Sequence, residues 1–429
     1  MKTIRAEDEQ GQLTTEQIRE VVREAVGELS TVRSVLVIHN DYSRHDYTHI
    51  VAPLLYQALE SRGLERFDSL NASGTHRPMT QAELIEKLGL NPASHPKIGT
   101  MFNHEFDSPE QLEHVFDIPA DFVAEKTNGN LSQVLSVGVN KLLFADYDLI
   151  VAINATVPHE ALGYSGGTKM FFPGVSNPEV IALLHWAAVL MGIPQLIGRA
   201  DNPARDVVNE GSKHIFAKIG DTPVLSLNMV YTEDQNHAVL PKGLFAAYGF
   251  DGFKDAHRYA ADLSSRLHII YLDRAMDVVV QQLPTMYDEV WTAGKGSYKL
   301  QRDGVLAEGA EIVLFAPHIH CFHSNERMDQ EIRRIGYHGL DHVLAFCEQH
   351  PDFNKNVAAH VINVRGLGKM VDGVEHFPFK VTLATQISQA DCESVGLGYR
   401  DPSKLRKEDF QQPGQLWISD GGQWLYARK

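Results

Sequence analysis

Short apolar runs alternate with helical patterns along the first two-thirds of the chain. Ser34 to His39 is rich in β-branched residues and predicts a buried strand, and Asp148 to Asn154 has the same character. Another strand is predicted to end near Ser69 to Asn71. Strands that alternate with helices are typical of an α/β fold with a mainly parallel, doubly wound sheet. Ligands of such sheets bind beyond the carboxyl ends of the strands, so the residues that follow the strands are the first candidates for a functional site.

Three helices are predicted around these strands. One runs from about Asp46 to Arg62, with Pro53 indicating a kink or a later start. A second runs from Thr80 to Leu88 and begins with a capping box. The third, from Val180 to Met191, is almost wholly apolar and is therefore expected to be buried.

The length of 429 residues predicts two domains rather than a single core. We expect an N-terminal α/β domain at residues 1–268 and a C-terminal α/β domain at residues 269–411, with the functional site in the cleft between them. The aromatic segment 412–429 is expected to return and pack on the first domain. Strand candidates recur in the second domain, which therefore also has an α/β pattern.

Composition and charge exclude several classes of partner. Hydrophobic residues make up 43% and charged residues 22%, which is typical of a soluble globular protein. The formal net charge of −16 argues against general affinity for nucleic acid or for an anionic membrane. The three cysteines form no CxxC pair, and neither a secretory signal nor a membrane-spanning run is visible. We therefore expect a cytoplasmic protein that binds neither nucleic acid nor membrane.

Polar residues follow each of the three predicted strands. Asp41 and Arg44 come after the first, His76 and Arg77 after the second, and His159 after the third. An arginine in this place can bind a phosphate or carboxylate bidentately, and a neighbouring aspartate can orient it. An ordinary ion pair in a turn is the more common function of such residues, so no single pair identifies a ligand.

A glycine-rich segment, Ser165-Gly166-Gly167-Thr168-Lys169, follows His159. Paired glycines let backbone N–H groups approach an anion closely, and the lysine adds a positive charge. Met170 stands where the phosphate-binding loop of nucleoside triphosphatases requires Ser or Thr, so the segment is not that loop. A plain glycine-rich turn with a solvated lysine fits these residue types equally well.

Several of the 21 histidines stand where they could bind a metal or transfer a proton. His104 lies in a predicted loop, and His185 lies in the buried helix, where neutral imidazole suits nickel, zinc or copper. Taken alone, His185 is more commonly explained as a hydrogen-bonded core residue. His318, His320 and His323 follow another strand but have no defined zinc spacing, and we expect only that their loop lies near the functional cleft.

Taken together, these segments resemble the lactate racemase family that uses the nickel-pincer nucleotide. The resemblance covers most of the chain and rests on an ordered set of motifs: Asp41-x-x-Arg44, Gly74-Thr75-His76-Arg77-Pro78, Asn103-His104, His159, Ser165 to Lys169, and His185. Lys169 comes 10 residues after His159, and His185 comes 16 residues after Lys169, spacings that match those of the family.

The resemblance implies a cofactor and the residues that hold it. The cofactor would be the nickel-pincer nucleotide, a pyridinium-3-thioamide-5-thiocarboxylic acid mononucleotide that carries nickel and is covalently linked to Lys169. His185 would be the protein ligand of the nickel. Asp41, Arg44 and the backbone of Ser165 to Gly167 would bind the nucleotide. Enzymes that synthesise the cofactor would be partners of this chain.

The resemblance also implies an activity, the inversion of the α-carbon of a 2-hydroxy acid by hydride transfer to the cofactor. The substrate hydroxyl points to opposite sides in the two enantiomers, so one base is insufficient. His104 and His159 would be the acid/base pair. His76 and Arg77 are candidates for substrate binding.

The second domain departs from the family pattern. The family has a glutamine and, three residues later, a lysine against the substrate carboxylate. Lys299 fits the lysine, whereas Gly296 occupies the glutamine position. The polar function would then fall to Lys295 or His320. Because a glycine should leave room, we expect a substrate that is lactate-like or larger, including sugar acids.

Two other functions remain open. A nicotinamide-dependent 2-hydroxy acid oxidoreductase would turn over without nickel, but no GxGxxG follows the first strand, and Arg365-Gly366-Leu367-Gly368 lacks the third glycine. A non-catalytic carrier of the nickel-pincer nucleotide would need neither His104 nor His159. Replacement of Lys169 by alanine should abolish covalent mass addition and racemase activity, whereas NAD chemistry would survive it.

Overall fold

The structure is a computed structural model that describes residues 3–74, 76–127, 129, 131–234, 236 and 238–429, without the side chains of Ala182 and His185. Contacts divide the chain into two compact units. The first comprises Met1–Ile181 and Ala200–His268, and the second comprises Ala182–Arg199 and Ile269–Lys429. Within the described residues, no helix is both long and apolar enough to cross a membrane.

The first unit contains a seven-stranded sheet of order β1-β11-β10-β7-β2-β3-β4. Its strands in this sheet and in two short hairpins are β1 Ile4–Glu7, β2 Ser34–His39, β3 Arg66–Asn71, β4 Ile98–Asn103, β5 Leu112–Ile118, β6 Leu135–Asn140, β7 Leu149–Ala155, β8 Pro158–His159, β9 Gly163–Tyr164, β10 Val224–Glu233 and β11 Val239–Tyr248. Strands β10, β7, β2, β3 and β4 are parallel, and β11 and β1 extend the sheet antiparallel.

The helices of this part of the chain are α1 Thr15–Ala25, α2 Thr48–Glu60, α3 Gln81–Leu88, α4 Ala120–Lys126, α5 Pro178–Met191, α6 Ile193–Leu196, α7 Pro203–Ile219 and α8 Gly249–His268. Helix α5 crosses the division between the units, and α6 belongs to the second unit.

The predicted elements of the first unit are confirmed. Strand β2 has the predicted bounds, and β7 is buried at every position, which explains its unbroken apolar sequence. Helix α3 begins at Gln81, and the side chain of its N-cap Thr80 accepts a hydrogen bond from the backbone N–H of Glu83 in a capping box. Helix α2 includes Pro53 and begins at Thr48, two residues later than the sequence predicted.

The second unit contains a parallel five-stranded sheet of order β18-β17-β14-β13-β19. Its strands, including two further pairs, are β12 Ile269–Leu272, β13 Met276–Gln282, β14 Leu306–Phe315, β15 Lys369–Val371, β16 Val374–His376, β17 Phe379–Ala384, β18 Gly398–Tyr399, β19 Gln415–Ile418 and β20 Leu425–Arg428. Its remaining helices are α9 Val290–Ala293, α10 Lys295–Tyr298, α11 Glu326–Ile335, α12 Leu340–Gln349, α13 Lys355–Arg365 and α14 Gln389–Ser394.

The C-terminal segment pairs differently from the sequence expectation. We expected residues 412–429 to return to the first domain, but β19 pairs with β13 and β20 pairs with β12, so both strands belong to the second unit. The physical reason is that β13 and β12 each offer an edge whose backbone groups need partners. Sequence pattern identifies a strand, but it does not say which edge the strand will join.

Candidate functional site

Lys169 lies where the chain leaves the central sheet of the first unit. After β7, the chain forms the β8–β9 hairpin and then a 3-10 turn, Gly167–Met170. The Nζ atom of Lys169 is 2.8 Å from Nε2 of His159. Burial, together with the charges of Arg44 and Arg205, lowers the pKa of Lys169 to about 7, so much of this amine is uncharged near neutral pH.

Arg205 organises the segment that precedes Lys169. This buried arginine of α7 donates hydrogen bonds to the carbonyl oxygens of Gly166 (3.2 Å), Leu162 (3.4 Å) and Tyr164. Burial lowers its pKa to about 10, so Arg205 still carries a charge at neutral pH. Sequence reasoning missed this residue, because nothing in its local pattern shows which distant carbonyl groups it will meet.

Two further buried groups fix the glycine-rich loop. The backbone N–H of Gly167 donates to Oδ1 of Asn154 at 2.9 Å, and Nε2 of His257 lies 3.0 Å from the carbonyl oxygen of Ser165. Burial lowers the pKa of His257 well below its usual value, so the imidazole is neutral and donates this bond. The sequence did not single out either residue.

The structure gives Ser165 and Gly166 functions within the loop itself. The Ser165 hydroxyl donates to the carbonyl oxygen of Ala155 at 2.8 Å and accepts the N–H of Val157 at 3.0 Å. Gly166 has φ +75°, and a Cβ atom there would lie 2.7 Å from Oγ1 of Thr156. A glycine is therefore required by packing whether or not a nucleotide binds, and the predicted nucleotide contacts of this loop stay a prediction.

Asp41, Ser43, Arg44 and His76 form a charged cluster at the ends of β2 and β3. Oδ2 of Asp41 is 2.5 Å from Nδ1 of His76, and its Oδ1 accepts the Ser43 hydroxyl hydrogen bond at 2.6 Å. Although burial alone would raise the pKa of Asp41, these hydrogen bonds hold it well below its usual value. Among the described residues, the guanidinium group of Arg44 has no hydrogen-bond or ion-pair partner, so it is available to an anion.

His104 is held by protein groups at both ring nitrogens. Its Nε2 lies 3.0 Å from the carbonyl oxygen of Ser176, and its Nδ1 lies 3.4 Å from the amide nitrogen of Asn140. Burial lowers the pKa of His104 to about 4, so the ring is neutral near pH 7. A neutral imidazole suits a proton acceptor, but its Nδ1 must leave Asn140 before it can accept a proton from a ligand.

Arg77, one of the predicted substrate-binding residues, is engaged elsewhere in this structure. Its guanidinium group forms a bidentate ion pair with Glu83, at 3.0 Å and 2.6 Å, and stacks over the Tyr42 ring. Glu83 is the capping-box residue of α3, so Arg77 stabilises the start of that helix. This arrangement corresponds to the ion-pair alternative that the sequence left open.

The predicted carboxylate-binding residues of the second unit lie around α10. Lys299 is buried and its Nζ donates to the carbonyl oxygen of Gln423, and Nζ of Lys295 lies 5.1 Å from the centre of the Tyr287 ring. Neither contact was predicted, and the Lys299 contact has no local signal because Gln423 lies far along the chain.

The structure removes the argument that Gly296 leaves room. A Cβ atom at Gly296 would lie 2.8 Å from Leu314 and 3.2 Å from Cβ of Gln281, so the space is already filled. The Gln281 side chain is fully buried, and its Nε2 has no hydrogen-bond partner among the described residues. A buried glutamine therefore does pack beside Gly296, and it comes from β13.

The remaining histidine candidates are dispersed. The His185 side chain lies outside the described part of the structure, so its function as a nickel ligand stays a prediction. His318 contacts the carbonyl oxygen of Tyr287 at 2.9 Å, His323 lies 3.6 Å from Glu289, and His320 is exposed. Among the described residues, these histidines are not part of any three-ligand group.

Another group, His338, His342 and Glu375, does bring three metal-type ligands within 4.8 Å of one another in the described chain. Glu375 holds Nδ1 of His338 at 2.6 Å, and the two imidazole rings stack with centres 3.8 Å apart. Imidazole lone pairs lie in the ring plane, so two stacked rings do not both point at one ion. We interpret the group as an ion-paired cluster.

Comparison with known protein families shows what the first part of this chain resembles. Residues 2–193 match the model of the lactate racemase N-terminal domain. Over these residues, the chain is similar to lactate racemases. Two lactate racemases are similar in sequence, one from Lactiplantibacillus plantarum with 28% identity over 153 residues and one from Thermoanaerobacterium thermosaccharolyticum with 23% identity over 209 residues. The alignments span 35% and 48% of this chain but only 32% and 45% of those relatives.

Solved structures extend the similarity to the whole chain. A crystal structure of a Thermotoga maritima protein has 51% identity and a TM-score of 0.91, covering 99% of this chain and 100% of that one. The lactate racemase apoprotein of Thermoanaerobacterium thermosaccharolyticum has a TM-score of 0.65 over 96% of this chain and 93% of that one, at 17% identity. The second similarity supports the predicted α/β fold and carries no conclusion about chemistry.

The residues present fit the nickel-pincer nucleotide that the sequence resemblance implies in two respects. An uncharged lysine amine is the nucleophile that a covalent link to a thiocarboxyl group requires, and Lys169 has a pKa lowered by burial to about 7. A nucleotide phosphate needs a cationic donor, and the Arg44 guanidinium group has no partner among the described residues. Both groups lie in the first unit, Arg44 after β2 and Lys169 after the hairpin that follows β7.

Proposed function

We propose that this protein is a racemase or epimerase of 2-hydroxy acids that uses the nickel-pincer nucleotide held covalently by Lys169. The observation that carries the proposal is the Lys169 amine, which lies 2.8 Å from His159 in a segment that matches the racemase domain. An oxidoreductase that uses NAD needs no such amine. The whole activity is a proposal, because the curated relatives are matched over less than half of their length.

The residues of this chain would supply binding and orientation. When bound, the cofactor supplies an electrophilic centre that takes the α-hydrogen of the substrate as hydride and can return it to either face of the resulting 2-keto acid. Lys169 would anchor the nucleotide, Arg44 would bind its phosphate, and His185 would be the nickel ligand. Asp41, held by His76 and Ser43, would orient Arg44 and the nucleotide sugar.

Proton transfer would fall to His159 and His104. The base must remove the hydroxyl proton as hydride leaves, and a neutral imidazole does this near pH 7. His104 is neutral because burial lowers its pKa to about 4. Its longer contact, 3.4 Å to Asn140, is the one that Nδ1 would give up to accept a substrate proton.

The substrate class is a small 2-hydroxy acid, bound through its carboxylate by the cations of the second unit. Lys299 and Lys295 remain the candidates, and the buried amide of Gln281 is a third polar group beside Gly296. Since Gly296 leaves no extra space, lactate is as well supported as a larger hydroxy acid. The expectation of a larger substrate loses its structural basis.

The deciding experiment is production of the protein together with the enzymes that make the cofactor, followed by intact mass, nickel analysis and polarimetry. We expect the native chain to gain the mass of the nucleotide with one nickel and to racemise a 2-hydroxy acid. Lys169→Ala should gain no mass and have no activity, whereas Lys404→Ala, at a side chain that is 81% exposed, should behave as the native chain.

The alternatives give different results in the same experiment. NAD-dependent redox turnover that survives Lys169→Ala would identify an oxidoreductase. Mass gain and nickel without inversion of any hydroxy acid would identify a carrier. No mass gain in the native chain would refute the cofactor assignment.

A further inference from the structure

The protonation of the Lys169–His159 pair is fixed by a third group. Nδ1 of His159 accepts the backbone N–H of Ala161 at 3.1 Å, while Oε2 of Glu160 lies beyond hydrogen-bond distance of Nδ1, at 3.8 Å. Nε2 lies 2.8 Å from Nζ of Lys169. A neutral imidazole carries one proton, so with Nδ1 as the acceptor that proton is on Nε2. Nε2–H therefore donates to Nζ, and Nζ can accept only as an uncharged amine.

Charged groups of both signs act on the Lys169 amine, so the hydrogen bond from His159 influences whether the amine is protonated. Arg44 and Arg205 disfavour the ammonium form, whereas Asp41 and Glu160 favour it. Burial is the largest single influence, and it lowers the pKa of Lys169 to about 7. At that value the amine is poised between its two forms, so one hydrogen bond to the uncharged form shifts the balance appreciably.

We propose that His159 is a positioning residue for cofactor attachment, which holds Lys169 as a free amine ready to attack a thiocarboxylic acid. The inference rests on the proposed function. In the attachment step, the Nζ lone pair leaves Nε2–H and forms a C–N bond with the thioacyl carbon. The C–O bond of the acid breaks, and one amine proton leaves with that oxygen as water. No oxidant or reductant is consumed.

Attachment also changes His159. A thioamide nitrogen has no basic lone pair, so it no longer accepts the Nε2–H bond. The imidazole is thereby released from Lys169 and becomes available for acid/base work. His159 therefore has two functions in turn. It keeps Lys169 uncharged before the cofactor is attached, and it transfers protons afterwards.

The first test measures the amine directly, without cofactor or activity. Unloaded protein is labelled with a trace of acetic anhydride at several pH values, and acetylation of Lys169 is compared by mass spectrometry with that of exposed Lys404. We expect His159→Phe and His159→Leu to reduce relative labelling of Lys169 near pH 7 about fivefold, because a rise of its pKa from about 7 to about 8 lowers the free-amine fraction by that factor. His104→Phe is the matched control and should leave the labelling near that of the native chain.

The second test measures loading with the cofactor-making enzymes by the rate of mass gain. His159→Phe and His159→Leu should load about fivefold more slowly near pH 7 than His104→Phe, because less of the lysine is in the free amine form. Equal loading or equal labelling of these variants would overturn the inference, provided that their melting temperatures show folded protein. Failure of the native chain to load would instead count against the proposed function, and the labelling result would still decide whether His159 controls the amine.

Discussion

Single buried residues determine how this protein responds to acid. His360 of α13 is almost fully buried, stacks on Trp291 with ring centres 4.4 Å apart, and lies 3.0 Å from the Tyr337 hydroxyl. Burial lowers its pKa to about 3, with a smaller contribution from His323. As the pH falls through about 6.5, His360 therefore becomes protonated in the unfolded chain but stays neutral in the folded chain.

We predict that His360→Phe reduces the loss of unfolding free energy that the protein shows when the pH is lowered. A histidine with a depressed pKa in the folded state leaves stability intact above pH 6.5 and removes it as the pH falls toward 3. Between pH 7 and 5 the native protein should lose about 2 kcal/mol more unfolding free energy than the variant. Urea titrations at the two pH values measure this difference.

The control for this prediction is His376→Phe, at an exposed histidine of β16. That variant should keep the full pH dependence of the native chain. An equal flattening in both variants would show that the effect does not come from burial of His360.

Two single glycines, Gly166 and Gly167, likewise determine the structure of the site. Gly166 and Gly167 both have positive φ, and a Cβ atom at Gly167 would lie 3.0 Å from the His257 ring. From the sequence, we interpreted these glycines as allowing a ligand to approach the backbone closely. The structure shows that they also let the backbone approach its own strand ends and α8, which a sequence pattern does not distinguish.

At the scale of elements, the turn that carries Lys169 depends on the packing of the loop before it. We predict that Gly166→Ala lowers the unfolding free energy by about 2–4 kcal/mol, from positive φ together with overlap against Thr156 and Ala155. The same change should slow covalent loading of Lys169, because the loop must shift to admit the methyl group.

Gly74→Ala is the matched control, since Gly74 also has positive φ but an added Cβ there would meet no atom of the described, non-adjacent residues within 4 Å. It should cost about 1 kcal/mol and leave loading unchanged. Thermal melts and the rate of mass gain separate the two variants. A loss of stability at Gly74 as large as that at Gly166 would assign the effect to backbone conformation alone.

The strands and helices were largely predictable, and the reason is local. Continuous apolar runs made β2 and β7 recognisable, and the Thr80–Glu83 capping box fixed the start of α3. These signals lie within a few residues of the element that they define. Short elements such as the β8–β9 hairpin and the 3-10 turn at Lys169 carry no such signal and were not predicted.

At the scale of the whole molecule, the C-terminal strands complete the second unit. Strand β19 pairs along β13, and β20 pairs along β12, while Tyr426 N–H donates to the carbonyl oxygen of Lys299 at 3.1 Å. The segment thus supports both a sheet edge and the lysine proposed to bind the substrate carboxylate.

We predict that deletion of residues 412–429 destabilises the second unit and spares the first. The deletion exposes the unpaired backbone groups of β12 and β13, so amide hydrogen exchange should rise throughout the five-stranded sheet. Exchange in the seven-stranded sheet should stay at its native level. Faster exchange confined to the first unit would show that the segment packs there, as the sequence alone suggested.

The sequence by itself determined the α/β class, the main strands and helices, and the ordered motifs that mark the racemase family. These properties depend on local periodicity and on residue order, and both can be observed in the sequence alone. The tertiary structure decided which groups meet. It paired His159 with the amine of Lys169, placed Arg205 under the glycine-rich loop, turned Arg77 toward Glu83, filled the space at Gly296, and joined the last two strands to the second unit. Such contacts depend on distances between residues far apart in the chain, and those distances arise only when the sheets and helices pack.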